Sequence, residues 1–166
     1  MESLINDVFK CLETLDDGTL ETDGQWTVAI KKALIDIAGK HGLMANCSSI
    51  GGQYRENHIN LEWLYDIILY TVKEDDIFDE VYLAGEIEWH YDKGELENDF
   101  SKLLLVGAKM RLMVYQVYDE KYYDELRNRF INIIEKSKSC LSDDVYLFAV
   151  YYHPIKNFKF EKYIKK

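Results

Sequence analysis

The sequence holds one proline and nine glycines in 166 residues, which excludes a Pro-rich or Gly-rich linker. It has three cysteines, Cys11, Cys47 and Cys140. They are odd in number, widely spaced and without a C-x-x-C pair, which excludes a disulfide framework and a zinc knuckle. Buried or half-buried thiols in a reducing compartment are the expectation. No stretch approaches the roughly 18 apolar residues that span a bilayer. The segment MESLINDVFKCLETLDDG carries acids where a signal peptide carries bases, and it has no uninterrupted apolar region. The expectation is a cytoplasmic protein that uses no membrane. Basic residues are also scarce, 20 against 30 acidic, for a net charge of −10. That excludes a protein that coats nucleic acid by electrostatics alone. It leaves room for a nuclease that clusters carboxylates around a metal, and it fits a binder of a basic protein partner. The absence of GxxxxGK[ST], GxGxxG and GxSxG removes support for nucleotide-fold and serine-hydrolase chemistry.

What is present is a globular composition, 48% hydrophobic and 30% charged. One domain over residues 1–166 is expected. Apolar residues Leu4, Ile5, Val8, Phe9, Leu12 and Leu15 recur at helical spacing, so Glu2 to Leu15 reads as an amphipathic helix. A second helix is expected from about Gln25 to Lys40, with Asp23 as N-cap and Gly42 as stop. The period then changes. Leu43 to Ser48 reads as a short strand and Ser49 to Asn60 as a loop or an extension of the sheet. Leu61 to Val72 and Glu80 to Trp89 read as a strand hairpin across an acidic turn. Asp92-Lys93-Gly94-Glu95 reads as a capping box for a third helix that runs on through Gly107 and Ala108. Arg111 to Tyr118 is a strand, Glu120 to Lys138 a helix, Val145 to Tyr152 a strand, and Phe158 to Ile164 a last edge strand. The alternation of strands and helices in the second half predicts parallel crossovers, and the hairpin must be antiparallel. The expected fold is a three-layer α/β domain with a mixed central sheet and helices on both faces.

Three acids sit inside the expected hairpin. Asp66 lies within Trp63-Leu64-Tyr65-Asp66-Ile67-Ile68, and Glu86 and Glu88 within Leu83-Ala84-Gly85-Glu86-Ile87-Glu88-Trp89. Residues two apart on a strand share a face, and paired strands run about 4.8 Å apart. Three carboxylates within one ion's reach are expected. Acids clustered in an apolar setting repel one another, and a divalent cation removes that cost. Mg²⁺ or Mn²⁺ takes oxygen ligands and keeps waters, which suits phosphodiester hydrolysis. The competing reading is an ordinary hairpin with solvated glutamates.

The run of elements around these acids resembles the restriction-endonuclease-like superfamily, the PD-(D/E)xK phosphodiesterases. The resemblance covers roughly Gln25 to Tyr118. It implies a core of helix, three strands, helix and strand, here with an added helix and strand. Asp66 matches the motif Asp and Glu86 the (D/E) position, while Glu88 stands where the motif has lysine, giving an E-x-E variant. Tyr65 replaces the proline before the motif Asp. The resemblance implies Asp66, Glu86 and Glu88 as metal ligands. Lys102, on the following helix, is the candidate for a migrated lysine, against the plainer reading of a solvated helix flank. The alternative function is a non-catalytic interaction module, immunity- or antitoxin-like, that keeps the core as scaffold.

His90 follows Glu86 and Glu88 on the same face, as an outer ligand, a proton shuttle or a strand-end residue without a role. His41, His58 and His153 show no ligand spacing, and Gly51-Gly52 precedes no clear helix. Thirteen tyrosines suit either stacking on bases or the boundary of a core. The lysines at 156, 159, 162, 165 and 166 form the only local positive stretch.

Overall fold

The computed structural model describes residues 1–15, 19–47, 50, 64–75 and 77–166. The expected loop from Ser49 to Asn60, apart from Ile50, and the first part of the strand expected from Leu61 lie outside the described residues. The chain divides into two compact units, Met1–Leu83 and Ala84–Lys166.

The first unit opens with α1 (Glu2–Glu13) and α2 (Asp23–Lys40). Leu4, Ile5, Val8 and Leu12 are the buried stripe of α1. The start of α2 corrects the sequence reading by one residue: Thr22, not Asp23, is the N-cap. The Thr22 hydroxyl accepts from the Gln25 backbone N–H at 3.3 Å, and the Gln25 side-chain oxygen accepts from the Thr22 N–H at 2.9 Å. A Thr three residues before a Gln satisfies two otherwise orphaned donors reciprocally. Thr22→Ala is expected to lower stability by about 1 kcal/mol, read as a shift of the urea midpoint with an unchanged slope. At the other end Gly42 takes φ +67°, a left-handed conformation that glycine adopts without strain.

Strand β1 (Met44–Cys47) pairs antiparallel with β2 (Ile67–Val72), with Ala45 opposite Leu69 and Cys47 opposite Ile67. The turn after β2 closes with Lys73 N–H donating to Ile77 O at 2.8 Å. β3 (Phe78–Glu88) returns beside β2, and the Tyr70 and Phe78 rings stack at 5.1 Å across the hairpin. The hairpin is thus present, with β2 shorter than expected: residues 64–66 are bends, so Asp66 immediately precedes the strand instead of sitting within it.

The second unit carries the end of β3, then α3 (Lys93–Leu103), β4 (Ala108–Val117), α4 (Glu120–Lys136), β5 (Val145–Tyr152) and β6 (Asn157–Ile164). Asp92 is the N-cap of α3, as expected, while Glu95, the other half of the expected capping box, lies beside His90. Asp92 accepts from the backbone N–H groups of Gly94 and Glu95 at 2.8 and 3.2 Å. The helix ends earlier than expected, since Ala108 already begins β4. β4 and β5 are parallel, from Met110 opposite Val145 to Val117 opposite Tyr152, and β6 is antiparallel to β5. The strand order β1-β2-β3-β4-β5-β6 makes a mixed six-stranded sheet. The helices α1 and α4 and the strands β5 and β6 lie outside the expected core run, each where the sequence reading had placed a helix or a strand.

Aromatic packing fixes where the helices of this unit lie. Phe100 of α3 and Phe130 of α4 stack at 4.3 Å, and both meet Phe148 of β5, at 6.0 and 5.9 Å. Tyr146, two residues from Phe148 and on the same face, meets Phe100 at 6.1 Å. Both helices therefore cover one face of β4 and β5. Crossovers of one hand along an unbroken strand order place successive helices on the same side. Arg111, buried on β4, ties the connection together. Its Nε and Nη2 donate to Leu103 O and Val106 O at 3.2 and 2.9 Å, and Nη1 lies 3.1 Å from Asp144 Oδ1. The Nη1 contact is an ion pair without hydrogen-bond alignment.

Candidate functional site

In the first unit Asp66 meets an unexpected partner. Lys31 of α2 places its Nζ 2.8 Å from Asp66 Oδ1. The Lys31 side chain is 3% exposed and that of Asp66 27%. A buried ammonium is costly unless a carboxylate comes with it. The signal was in the sequence: Lys31 lies three residues before Leu34 and four before Ile35, on the buried stripe of α2. Burial raises the thiol pKa of the neighbouring Cys47, with the charge of Lys31 opposing and that of Asp66 assisting. Burial likewise pushes Cys11 up to about 12. Neither thiol has the lowered pKa of a nucleophile.

In the second unit Glu86 and Glu88 occupy the end of β3 and divide between different partners. Glu86 is buried, its side chain 4% exposed, and the Lys102 ammonium approaches its Oε1 to 3.8 Å. The same ammonium lies 2.5 Å from Asp99 Oδ1, one helical turn back on α3. α3 therefore delivers a lysine to the buried glutamate, because Asp92 starts the helix where Asp99 and Lys102 project toward the end of β3. Glu88 is half-buried. Its Oε1 accepts from the backbone N–H of His90 at 2.6 Å and lies 2.7 Å from His90 Nδ1. Glu95 Oε2 is 3.2 Å from the same nitrogen. Glu88, His90 and Glu95 each offer a ligand atom within 4.8 Å of the others.

Beside this end of the sheet is an aromatic cluster. Tyr91 meets Tyr118 at 4.5 Å and Tyr122 at 5.7 Å, and Tyr118 stacks on His153 at 3.7 Å. Tyr91, Asp92, Lys93, Asp119, Lys121, Tyr122 and Glu125 line a shallow cavity of about 400 Å³. Burial, with Tyr118 and Asp119 adding to it, pushes the Tyr91 hydroxyl up to about 12. Asp92 and Asp119 are already engaged as helix caps.

Two lysines of the positive C-terminal stretch are held by the fold. Lys159 Nζ donates to Glu120 at 2.8 Å and lies 3.7 Å from the centre of the Tyr152 ring. Lys165 Nζ donates to the carbonyls of Ser137 and Cys140 at 2.8 and 2.7 Å.

Of the residues singled out in the sequence, Glu86 and Lys102 are brought together, and Glu88 is joined to His90. Asp66 belongs to the first unit, with Lys31. Lys31 and Asp99 were not singled out in the sequence. No helix among the described residues is long and apolar enough to cross a membrane. Comparison with protein-family models, curated proteins and solved structures finds no match to this chain.

Proposed function

We propose that the protein is a divalent-metal-dependent nuclease built on a variant PD-(D/E)xK site. The observation that carries the reading is the Lys102 ammonium 3.8 Å from the buried carboxylate of Glu86. A strand carboxylate with an adjacent lysine is what phosphodiester hydrolysis needs when the motif lysine is replaced, here by Glu88. The donor chemistry fits a hard cation, since Glu86 and Glu88 offer carboxylate oxygens. These two would hold Mg²⁺ or Mn²⁺, and the sequence pattern gives Asp66 the same role. When bound, the ion supplies Lewis-acid stabilisation of the phosphate and a nucleophilic water at neutral pH. Lys102 supplies a fixed positive charge where negative charge grows on the phosphate oxygens. Glu88 orients the attacking water, and His90, on its carboxylate, fixes its rotamer.

Calorimetric titration of Mn²⁺ tests the reading. One site is expected on the wild type, with affinity reduced about 10–100-fold by Glu86→Gln. Absence of binding, or equal affinity in the two proteins, removes the nuclease reading. A second reading has its own observation: the aromatic cluster at Tyr91, Tyr118 and Tyr122 is bordered by Asp92, Asp119 and Glu125 along with Lys93 and Lys121, and the chain carries −10 overall. Tyrosine beside carboxylates suits a basic protein partner. Recovery of such a partner at one-to-one stoichiometry, with no cleavage of DNA or RNA across divalent metals, would establish the binder.

A further inference from the structure

Tyr91 follows directly on His90, whose Nδ1 lies 2.7 Å from Glu88 Oε1, so an aromatic ring stands one residue beyond the candidate site. It belongs to a row of rings just past the carboxyl ends of β3, β4 and β5. Tyr122 stacks parallel to Tyr91, Tyr91 meets Tyr118 at 42°, and Tyr118 lies flat on His153. Rings packed this closely usually form a core. Here Tyr91 and Tyr118 keep 45% and 48% of their surface exposed. We propose that this row is a stacking platform for unpaired bases, and that the substrate is single-stranded nucleic acid. The proposal rests on the nuclease reading, because it names the substrate class of that site.

The argument is one of available faces. In a duplex each base is already stacked between its neighbours, so exposed rings beside the site gain nothing from it. An unpaired base has a face to offer, and every base has one, which makes such stacking tolerant of sequence. The row is also set before a ligand arrives: the Tyr122 hydroxyl donates to the Tyr91 carbonyl oxygen at 3.0 Å and fixes the two segments together. Charge around the adjoining cavity is nearly balanced. Lys93 and Lys121 stand on its rim with Asp92, Asp119 and Glu125. Asp92 and Asp119 cap the positive ends of α3 and α4, and Glu125 lies 3.9 Å from Lys121. Such a rim lacks the positive field of a groove that gathers phosphates. It equally lacks the strong negative field that selects a basic protein. Stacking is the interaction left to carry affinity.

Binding without metal tests the proposal apart from cleavage. Fluorescein-labelled oligo(dT) and oligo(rU) are titrated with the full chain in EDTA at low ionic strength, beside a duplex and an abasic strand of the same length. Anisotropy is expected to show a single strand bound, with the duplex and the abasic strand weaker by about tenfold or more. Tyr91→Ala and Tyr118→Ala should each weaken the single strand about tenfold and leave the abasic strand unchanged. Tyr91→Phe, which keeps the ring, should bind as the wild type does. If the alanine variants fail to fold, the wild-type preference for bases over the abasic strand decides alone. Equal affinity for the single strand and its abasic counterpart, equal affinity for single strand and duplex, or no binding of either single strand overturns the proposal. An oligo-arginine peptide that binds where no single strand does, and that Tyr91→Ala weakens, also overturns it and gives the row to a basic protein. The nuclease reading fails separately, on Mn²⁺. Single strands bound by a chain without an Mn²⁺ site leave the platform standing and remove the catalysis, and an Mn²⁺ site without a preference for unpaired bases does the reverse.

Discussion

Lys102→Met is expected to reduce Mn²⁺-dependent cleavage of nucleic acid by about 10²–10³-fold, the usual loss when one preorganised electrostatic group is removed from a transition state. The wild-type signal is Mn²⁺-dependent nicking of plasmid DNA or of single-stranded DNA or RNA, and initial rates give the ratio. Metal binding should survive the substitution and tighten, since a cation 3.8 Å from the ligand Glu86 disappears. That opposition, weaker catalysis with stronger binding, separates a lysine that acts on the phosphate from one that only supports the site. Lys102 is more than a third exposed, so the ion pairs it loses are worth under about 1 kcal/mol in stability. The unfolding midpoint should therefore move little. Lys102→Arg should not restore the rate, because a planar guanidinium cannot take the compact position of an ammonium between Asp99 and Glu86. Equal cleavage rates in Lys102→Met and wild type would remove Lys102 from the chemistry.

Much of this arrangement was legible before any coordinates, because local patterns dominate it. β5 is found at the expected Val145–Tyr152, where eight consecutive residues with no breaker lie between turn signals. The Asp92 cap of α3 and the hairpin of β2 and β3 were equally visible. The errors lie where local signals compete. Thr22 and Asp23 are adjacent good caps, and only the reciprocal bonds with Gln25 decide between them. Gly107 and Ala108 continue a helical pattern of small residues, but α3 ends at Leu103 and β4 begins at Ala108. The site was less legible than the fold. Alternation places Glu86 and Glu88 on one face, but it says nothing of the helices that meet them. Lys102 reaching Glu86 is a tertiary fact, whereas His90 turning back to Glu88 is a local contact two residues along the chain. The pairing of Lys31 with Asp66 spans 35 residues and shows in the sequence only as a lysine on an apolar stripe.

That pairing changes how substitutions at Asp66 must be interpreted. Asp66→Ala is expected to destabilise the protein by about 3 kcal/mol, the low end of the cost of breaking a buried ion pair from one side. The Lys31 side chain is 3% exposed, and the carboxylate removed is the one 2.8 Å from its Nζ. The ammonium would keep its desolvation cost and lose this counter-charge. Chemical denaturation with urea reads the effect directly. Lys31→Met combined with Asp66→Leu should recover most of the loss, because two apolar side chains of similar size remove both desolvation costs together. Asp66→Asn should cost less than Asp66→Ala, since the amide oxygen still accepts from the lysine. A loss of activity in Asp66→Ala alone therefore does not identify a metal ligand. Asp66→Asn, assayed at a temperature where its folded fraction matches the wild type, does so if Mn²⁺ affinity falls while the Glu86–Lys102 coupling stays unchanged. If Asp66→Asn binds Mn²⁺ as the wild type does, the role of Asp66 is to neutralise Lys31, and the metal belongs to Glu86 and Glu88 without it.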